Sequence, residues 1–586
     1  MMKRKRRAVL TAVLIVLAAC LCSCGSGGKK AADVFGRKIA ALEECMFPGG
    51  DAAAPISYDT DKYGYIAFIS VCDGGQRASV YHAGGKAPEE AFRAAAERAE
   101  KYIRAKGYEA RWVKADIVTG LRTVAAEDFE SIIGSYTRKY MREGIAYDGG
   151  FACAFLEEEI NGSTLISYDN KKINENNTKA YLKTRGEEGL FSGIPDELIL
   201  FTAAGYFCDE DFNVYTLLTE EKDYGRREKA PVDAALAGSL AAGAMERLKG
   251  MVVDGGEFIY GYRGTTGEIL PGYNILRHAG TVWCMINQYA MTGDESLVPL
   301  IGKLLEYLEG CVEYRTPSIA YVVEQDTGEI KLGGNALALL AYIAYTETFA
   351  SDLYVELCGG LAEGILSLMD ETKGTYYHVL NFPGFTEKEE FRTVYYDGEA
   401  TYALARMYGL SKQEKYLSAA ESAIDNFIRA NYEQYRDHWV EYSVNEVTKH
   451  NPDGRYLAFG LLNANVNLRR IYRLDPDSGT SFELLMAAFE IYDRVMEGHR
   501  GLAYLSEFDR QGFFDTVAYR ANHMLNAYFF PECAMYMAAP AEVVDAFYVR
   551  QDHFRVRIDD IQHAVGGYHR YIINYDKINK YSDIDK

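Results

Sequence analysis

A polar, aromatic opening that runs into an apolar helix recurs along the C-terminal two thirds of this chain, and the recurrence fixes most of what the chain can fold into. The clearest copy is YYDGEATYALARMY, where Tyr395, Tyr396, Asp397 and Glu399 precede Ala400, Ala403, Leu404, Met407 and Tyr408 at helical spacing. Further copies begin at Tyr273, Gly333, Tyr456, Arg520 and Ile558. Amphipathic helices separate them, at Val232 to Met251, Leu297 to Val312, Asp352 to Met369, Lys412 to Ala430 and Ser481 to Met496, with a weaker one at Ala541 to Val549. A spacing of roughly 40 to 65 residues marks an internal repeat of helical hairpins. Inner helices alternating with outer ones would close into an all-α (α/α) toroid of about six hairpins, and small residues such as Ala279, Gly280, Ala336, Ala400, Gly460 and Ala464 would let neighbours approach closely. The alternative is an open α-solenoid, whose repeats are usually shorter and more uniform.

The N-terminus, MMKRKRRAVLTAVLIVLAAC, has a basic region followed by an apolar run too short for a comfortable membrane span. It reads as an export signal. Leu17-Ala18-Ala19-Cys20 resembles the bacterial lipoprotein box, which makes Cys20 the expected lipidation site; Cys24, followed by the flexible Gly25-Ser26-Gly27-Gly28, is the alternative. Residues 1–24 are thus signal and start of a tether, and the globular part is expected on the outer face of a bacterial membrane. An uncleaved anchor would leave it on the same side.

A formal charge of −21 disfavours nucleic acid, which needs a basic face. The cysteines do not form a disulfide framework: Cys20, Cys22 and Cys24 belong to the signal, while Cys284, Cys311, Cys358 and Cys533 sit in helical apolar patterns. No Cys or His cluster with zinc spacing follows the signal, so no metal or other cofactor is expected.

Residues 33–227 have a different texture and read as a smaller α+β domain preceding the toroid of residues 232–575. Tyr63 to Cys72 and Ala78 to Ala83 are strand-like about Asp73-Gly74-Gly75, Pro88 opens a helix to Lys106, Glu109 to Leu121 is β-like, Asp128 to Arg142 is helical, and Leu198 to Leu218 forms two strands. No phosphate loop, nucleophile elbow or paired-acid signature occurs there. YGRREKAP, from Tyr224 to Pro231, is the expected boundary.

In a toroid the outer-to-inner connections emerge on one face. Aromatic, extended-looking stretches assigned to them are Glu257 to Tyr262, Ile319 to Glu324, Gly374 to Leu380, His438 to Asn445 and Gly501 to Phe508. That face would gather Tyr260, Tyr262, Tyr321, Tyr376, Tyr377, Trp439, Tyr442 and Tyr504, with Tyr396 at the mouth of its inner helix, rings suited to sugar faces, although with 46 tyrosines in the chain many must be core. Arg277, His278, Asn335, Asp397, Glu399, Arg520, His523, Asp559, Asp560 and His563 would line the same cavity. Asp397 and Asp559 could equally be first-turn caps, and His278 and His563 satisfied core histidines. Glu441, between Val440 and Tyr442, has no such local role and is the leading catalytic candidate. It would be a general acid or base beside Trp439, with Arg277 or Arg520 orienting an anionic group and His278 or His563 completing the proton transfer.

The hairpin period, together with DGGEFIYGY, YYDGEATYALARMY and RHAGT, resembles the α/α-toroid superfamily of six-hairpin glycosidases, polysaccharide lyases and sugar epimerases over roughly residues 232 to 575. The resemblance is architectural. The paired aspartates of unsaturated-uronyl hydrolases and the histidine-rich motifs of N-acylglucosamine epimerases do not occur, so no family residue transfers by motif. Val556-Arg557-Ile558-Asp559-Asp560 is similar to the acidic motif of terpene cyclases but carries Arg where the first Asp belongs, and the Cys/His zinc site of lanthionine cyclases is absent. What the resemblance implies is a surface lipoprotein acting on a poly- or oligosaccharide as hydrolase, lyase or epimerase. A non-catalytic glycan-binding or envelope-assembly lipoprotein is the alternative.

Overall fold

The computed structural model describes residues 29–50, 52, 54–136, 139–219, 223 and 225–583. The leader, with Cys20 and Cys24, lies outside the described residues.

The N-terminal part is an antiparallel sheet. Its strands are β1 (Tyr65–Cys72), β2 (Ser79–Gly85), β3 (Trp112–Ala125), β4 (Gly144–Ala146), β5 (Ala154–Phe155) and β6 (Glu197–Cys208), in the order β2-β1-β3-β6-β4-β5, and β7 (Val214–Thr216) also pairs with β6. Strand periodicity sorts its residues onto two faces. Ala67, Ile69, Val71, Val113 and Ala115 pack under helix α1 (Pro88–Lys106), on Ala91, Phe92, Ala95, Ala99 and Ile103. Ile66, Phe68, Trp112 and Phe207 face the other way and join the core of the helical part. The helix expected over 128–142 is reduced to Phe129–Ser135.

Among the described residues, twelve helices of at least twelve residues build the C-terminal part: α2 (Ala234–Met251), α3 (Ile275–Thr292), α4 (Val298–Glu309), α5 (Leu332–Phe349), α6 (Val355–Leu366), α7 (Tyr395–Ser411), α8 (Glu414–Arg429), α9 (His438–His450), α10 (Gly454–Asn465), α11 (Gly479–Gly498), α12 (Arg510–His523) and α13 (Ile558–Ser582). The odd-numbered helices from α3 to α13 pack in sequence, and α13 returns to α3. Six inner helices therefore form a closed ring, with the even-numbered helices outside it. This is an (α/α) toroid, and the open superhelix is excluded. Close approach matters inside the ring: a Cβ on Gly398 of α7 would sit 2.6 Å from the Val440 nitrogen of α9.

The sequence pattern misplaces four elements of this ring. His438 to Asn445 is helix α9 and not an extended connection. Uncounted, it reverses the assignments that follow: the Tyr456 helix is outer, the Ser481 helix is inner, and the helix containing Arg520 is outer. The count recovers at α13 only because a helix was expected over 541–549, where the structure has a single turn, Pro540–Val543.

Residues 524–557 leave the ring and clamp the sheet. Ala78 donates its N–H to Met535 O at 2.7 Å, and the Tyr536 hydroxyl donates to Ser70 Oγ at 2.7 Å. The expected boundary is part of this clamp. Arg226 and Arg227 are buried, and the Arg227 guanidinium forks onto Glu532, with its closest contact at 2.7 Å.

Candidate functional site

All six inner helices run in the same direction, so their N-terminal ends share one mouth, which the long outer-to-inner connections surround. Strand Gly261–Arg263 pairs with Arg555–Arg557 there and brings Tyr260 beside the start of α13. The Arg277 guanidinium reaches Asp559 at 2.8 Å and the Tyr260 hydroxyl oxygen at 2.6 Å; Arg557 also holds Asp559, and Arg555 forks onto Asp560 at 2.9 Å. Exposed rings stand beside the mouth: Phe391 on the connection before α7, Tyr395 at the first position of α7 and Tyr435 in the short turn before α9.

Beneath this rim lies a layer of carboxylates and imidazoles. Glu483, fully buried on α11, accepts from Tyr442 Oη at 3.0 Å and lies 2.7 Å from His563 Nδ1. His438 Nε2 is 3.7 Å from the same carboxylate, and the His438 and His563 rings are 5.1 Å apart. Asp437 caps α9 by accepting from Trp439 N, which explains why the helix begins there. Asp397 is held by His378 Nε2 at 3.1 Å and by the Tyr432 hydroxyl at 2.8 Å. Glu399 lies against the Gly333 backbone, and its Oε2 has no hydrogen-bond partner among the described residues.

Burial decides the charge states. It pushes Glu399 well above the carboxylate range, with the charges of Asp437 and Asp397 adding and Arg277 opposing. Burial does the same to Asp437 against its backbone hydrogen bonds. Burial and the charge of His563 hold His438 well below the ordinary histidine value, so it stays neutral. His563 goes the other way: burial disfavours its cation, but Glu483, with Asp559 and Asp560, outweighs that and raises it. Among the described residues its Nε2 has no protein partner, which leaves that nitrogen to a ligand.

His438, Glu483 and His563 place three donor atoms within 4.8 Å of one another. A divalent metal bound there would force the His563 and Glu483 atoms from hydrogen-bond distance to about 3 Å or more. The arrangement fits a shared proton better than an ion.

The structure brings Arg277, Asp397, Glu399, Asp559, Asp560, His563, Tyr260 and Tyr396 to this mouth. Other expected residues lie elsewhere. Glu441 is fully buried, but between α9 and α10: Asn463 donates to its Oε2 at 2.7 Å, its Oε1 lies beside Gly460 with no hydrogen-bond partner among the described residues, and no charged group of the mouth acts on it. His278 is a satisfied core histidine between Tyr273 Oη and Leu304 O. His523 stacks on Tyr519 of outer helix α12. Arg520 donates to the carbonyls of Leu474 and Asp475, and Asn335 clamps Val322 and Lys331. Tyr321 is buried against Ser367, Tyr262 is buried in its strand, and Tyr377 is half-buried on the loop after Thr375–Tyr376. Trp439 and Tyr442 belong to an aromatic layer with Trp283 and Tyr402 deeper on the axis.

Glu483 and His438 escaped the sequence reading. His438 was within reach, because Asp437 and Asn451-Pro452 bracket a segment of helical length with start and stop signals. Glu483 was then hidden by placing its helix on the outside.

No family model matches the chain, and no curated protein matches it. Solved structures similar in fold include a D-mannose isomerase (10% identity, 60% of this chain and 100% of that one, TM-score 0.45). Others are an α-mannanase of Bacteroides thetaiotaomicron (11%, 59% and 97%, 0.43) and a cellobiose 2-epimerase of Spirochaeta thermophila (14%, 58% and 97%, 0.41). Likenesses of this order carry no activity across, and the site rests on its own geometry.

Proposed function

We propose that the N-terminal mouth of the toroid binds a saccharide and that His563, backed by Glu483, moves a proton to or from it. The observation that carries this reading is the Tyr442-Glu483-His563 hydrogen-bonded chain, which ends on a free imidazole nitrogen at the open side. A buried carboxylate that fixes one nitrogen of a histidine leaves the other oriented as a general base. Glu399, kept protonated by burial, stays uncharged beneath the rim. His438 and His563 are too close together to flank a sugar carbon from opposite faces, which favours a single-base proton transfer. The Arg277 fork and the exposed rings Phe391, Tyr395 and Tyr435 would orient and stack the sugar.

The substrate we propose is a poly- or oligosaccharide, and the place of work is the outer face of a bacterial membrane, anchored through a lipid on Cys20 or Cys24. Turnover screens of neutral and uronate-containing glycans with wild type and His563→Gln test the reaction. Loss of turnover by about 100-fold or more in the variant supports it; equal activity removes His563 from the mechanism. Labelled palmitate retained by wild type and absent from Cys20→Ala would support the anchor. A second reading, glycan binding without chemistry, is favoured by the sealing of Glu399 and Asp437 beneath the surface while the rings stay exposed. Binding without turnover across the screen would select it.

A further inference from the structure

The opposite mouth, at the C-terminal ends of the inner helices, holds a cavity of about 400 Å³ lined by Trp283, Asn287, Tyr402, Arg406, Tyr442 and Arg570 among others. That is the size of a small-molecule site. Its floor is the underside of the aromatic layer: the Tyr402 and Tyr442 rings lie 5.4 Å apart at 29°, and Trp283 stands edge-on to them at 6.2 and 6.3 Å. The layer separates this cavity from the carboxylates and imidazoles of the other mouth.

Its charges are already satisfied. Arg570 meets Glu490 at 2.7 Å, Lys449 meets Glu446 at 2.7 Å, and Arg406 is held by Glu347 and, at 3.6 Å, by Glu446. An ionic ligand would find no spare countercharge. The unsatisfied groups are neutral: among the described residues, no protein group bonds the Tyr402 hydroxyl, the Trp283 indole N–H or the Asn287 amide. Tyr402 and Trp283 are only 3% and 9% exposed and Asn287 is half-buried, and all three line the cavity. None of the three is sealed from solvent, so a ligand seated in the cavity would take over the hydrogen bonds that water makes there. Ring faces beside uncharged hydrogen-bonding groups match a pyranose, with its C–H patches and hydroxyls.

We infer that this cavity is a binding site for a neutral mono- or disaccharide, separate from the proton-transfer mouth and independent of whether that mouth is catalytic. Calorimetry on the full chain with glucose, mannose, N-acetylglucosamine, cellobiose and mannobiose tests it, with glucuronate and inorganic phosphate as charged comparisons. At least one neutral sugar should bind saturably to wild type and equally to His563→Gln. Asn287→Leu, which removes the free amide, and Ala290→Phe, which narrows the exposed rim, should each weaken binding by about tenfold or more at unchanged Tm. No saturable heat with any neutral sugar, an affinity unchanged in both rim variants, binding lost only in His563→Gln, or tighter binding of phosphate or glucuronate would each overturn the inference.

Discussion

His563 Nδ1 lies 2.7 Å from Glu483 Oε2, which joins the last inner helix to its neighbour at the open end of the ring. His563 is the half-buried member of that pair and Glu483 the sealed one. A proton can therefore enter or leave through the imidazole while the carboxylate stays dry.

Removing the carboxylate tests the pair through pH. Glu483 is what raises His563, so Glu483→Gln should lower the pKa on which the rate depends. A base acts when deprotonated, so the acid limb of kcat/KM should move to lower pH as overall turnover falls by about 100-fold. A structural role alone would lower the rate without moving the limb.

Glu441→Gln should have the opposite profile. Glu441 lies between the helix layers, so turnover should stay within about twofold of wild type. Its effect belongs to stability. Burial raises its folded pKa well above the unfolded value, so the unfolded chain ionises first and wild-type stability falls as pH rises from the ordinary carboxylate range toward the folded pKa. The Gln variant loses that dependence, and urea melts at pH 5 and pH 8 should differ less for it than for wild type.

The clamp between sheet and toroid should be costly to break from one side. Arg227 is nearly buried and Glu532 fully buried, and either one alone leaves an uncompensated charge. Glu532→Gln should destabilise by about 3–5 kcal/mol, while Arg227→Met with Glu532→Leu should recover much of that loss. Thermal melts of the two variants beside wild type check it.

The closed ring was legible because its evidence is periodic: α3, α5 and α7 each show the polar opening and apolar continuation. The site was only partly legible, for the same physical reason. Helix α9 is buried on every side over 438–448, so it has no polar face to betray a 3.6-residue period, and its Trp, Val and Tyr mimic a strand. Capping by Asp437 was the remaining signal. Side-chain direction was not legible at all: Glu441 and His438 lie three residues apart on one helix, yet one meets the outer layer and the other the axis. Glu399 lies on α7, whose polar opening and apolar continuation needed no such distinction.

Two glycines should respond oppositely to the same methyl group. On Gly398 a Cβ would lie 2.6 Å from Val440 N and 2.8 Å from Trp439 C, both backbone atoms of α9 that cannot rotate aside. Gly398→Ala must separate α7 from α9, at a cost of about 1–3 kcal/mol, and it shifts His438 relative to Glu399, so kcat should fall with stability. On Gly302, within outer helix α4, a Cβ meets nothing within 4 Å. Gly302→Ala should stabilise by about 0.5–1 kcal/mol through helix propensity and reduced unfolded-state freedom, with kcat unchanged. Melts and turnover of both variants check the pair. If Gly398→Ala is as harmless as Gly302→Ala, the inner helices do not need their close approach, and the mouth owes its geometry to the loops above it instead.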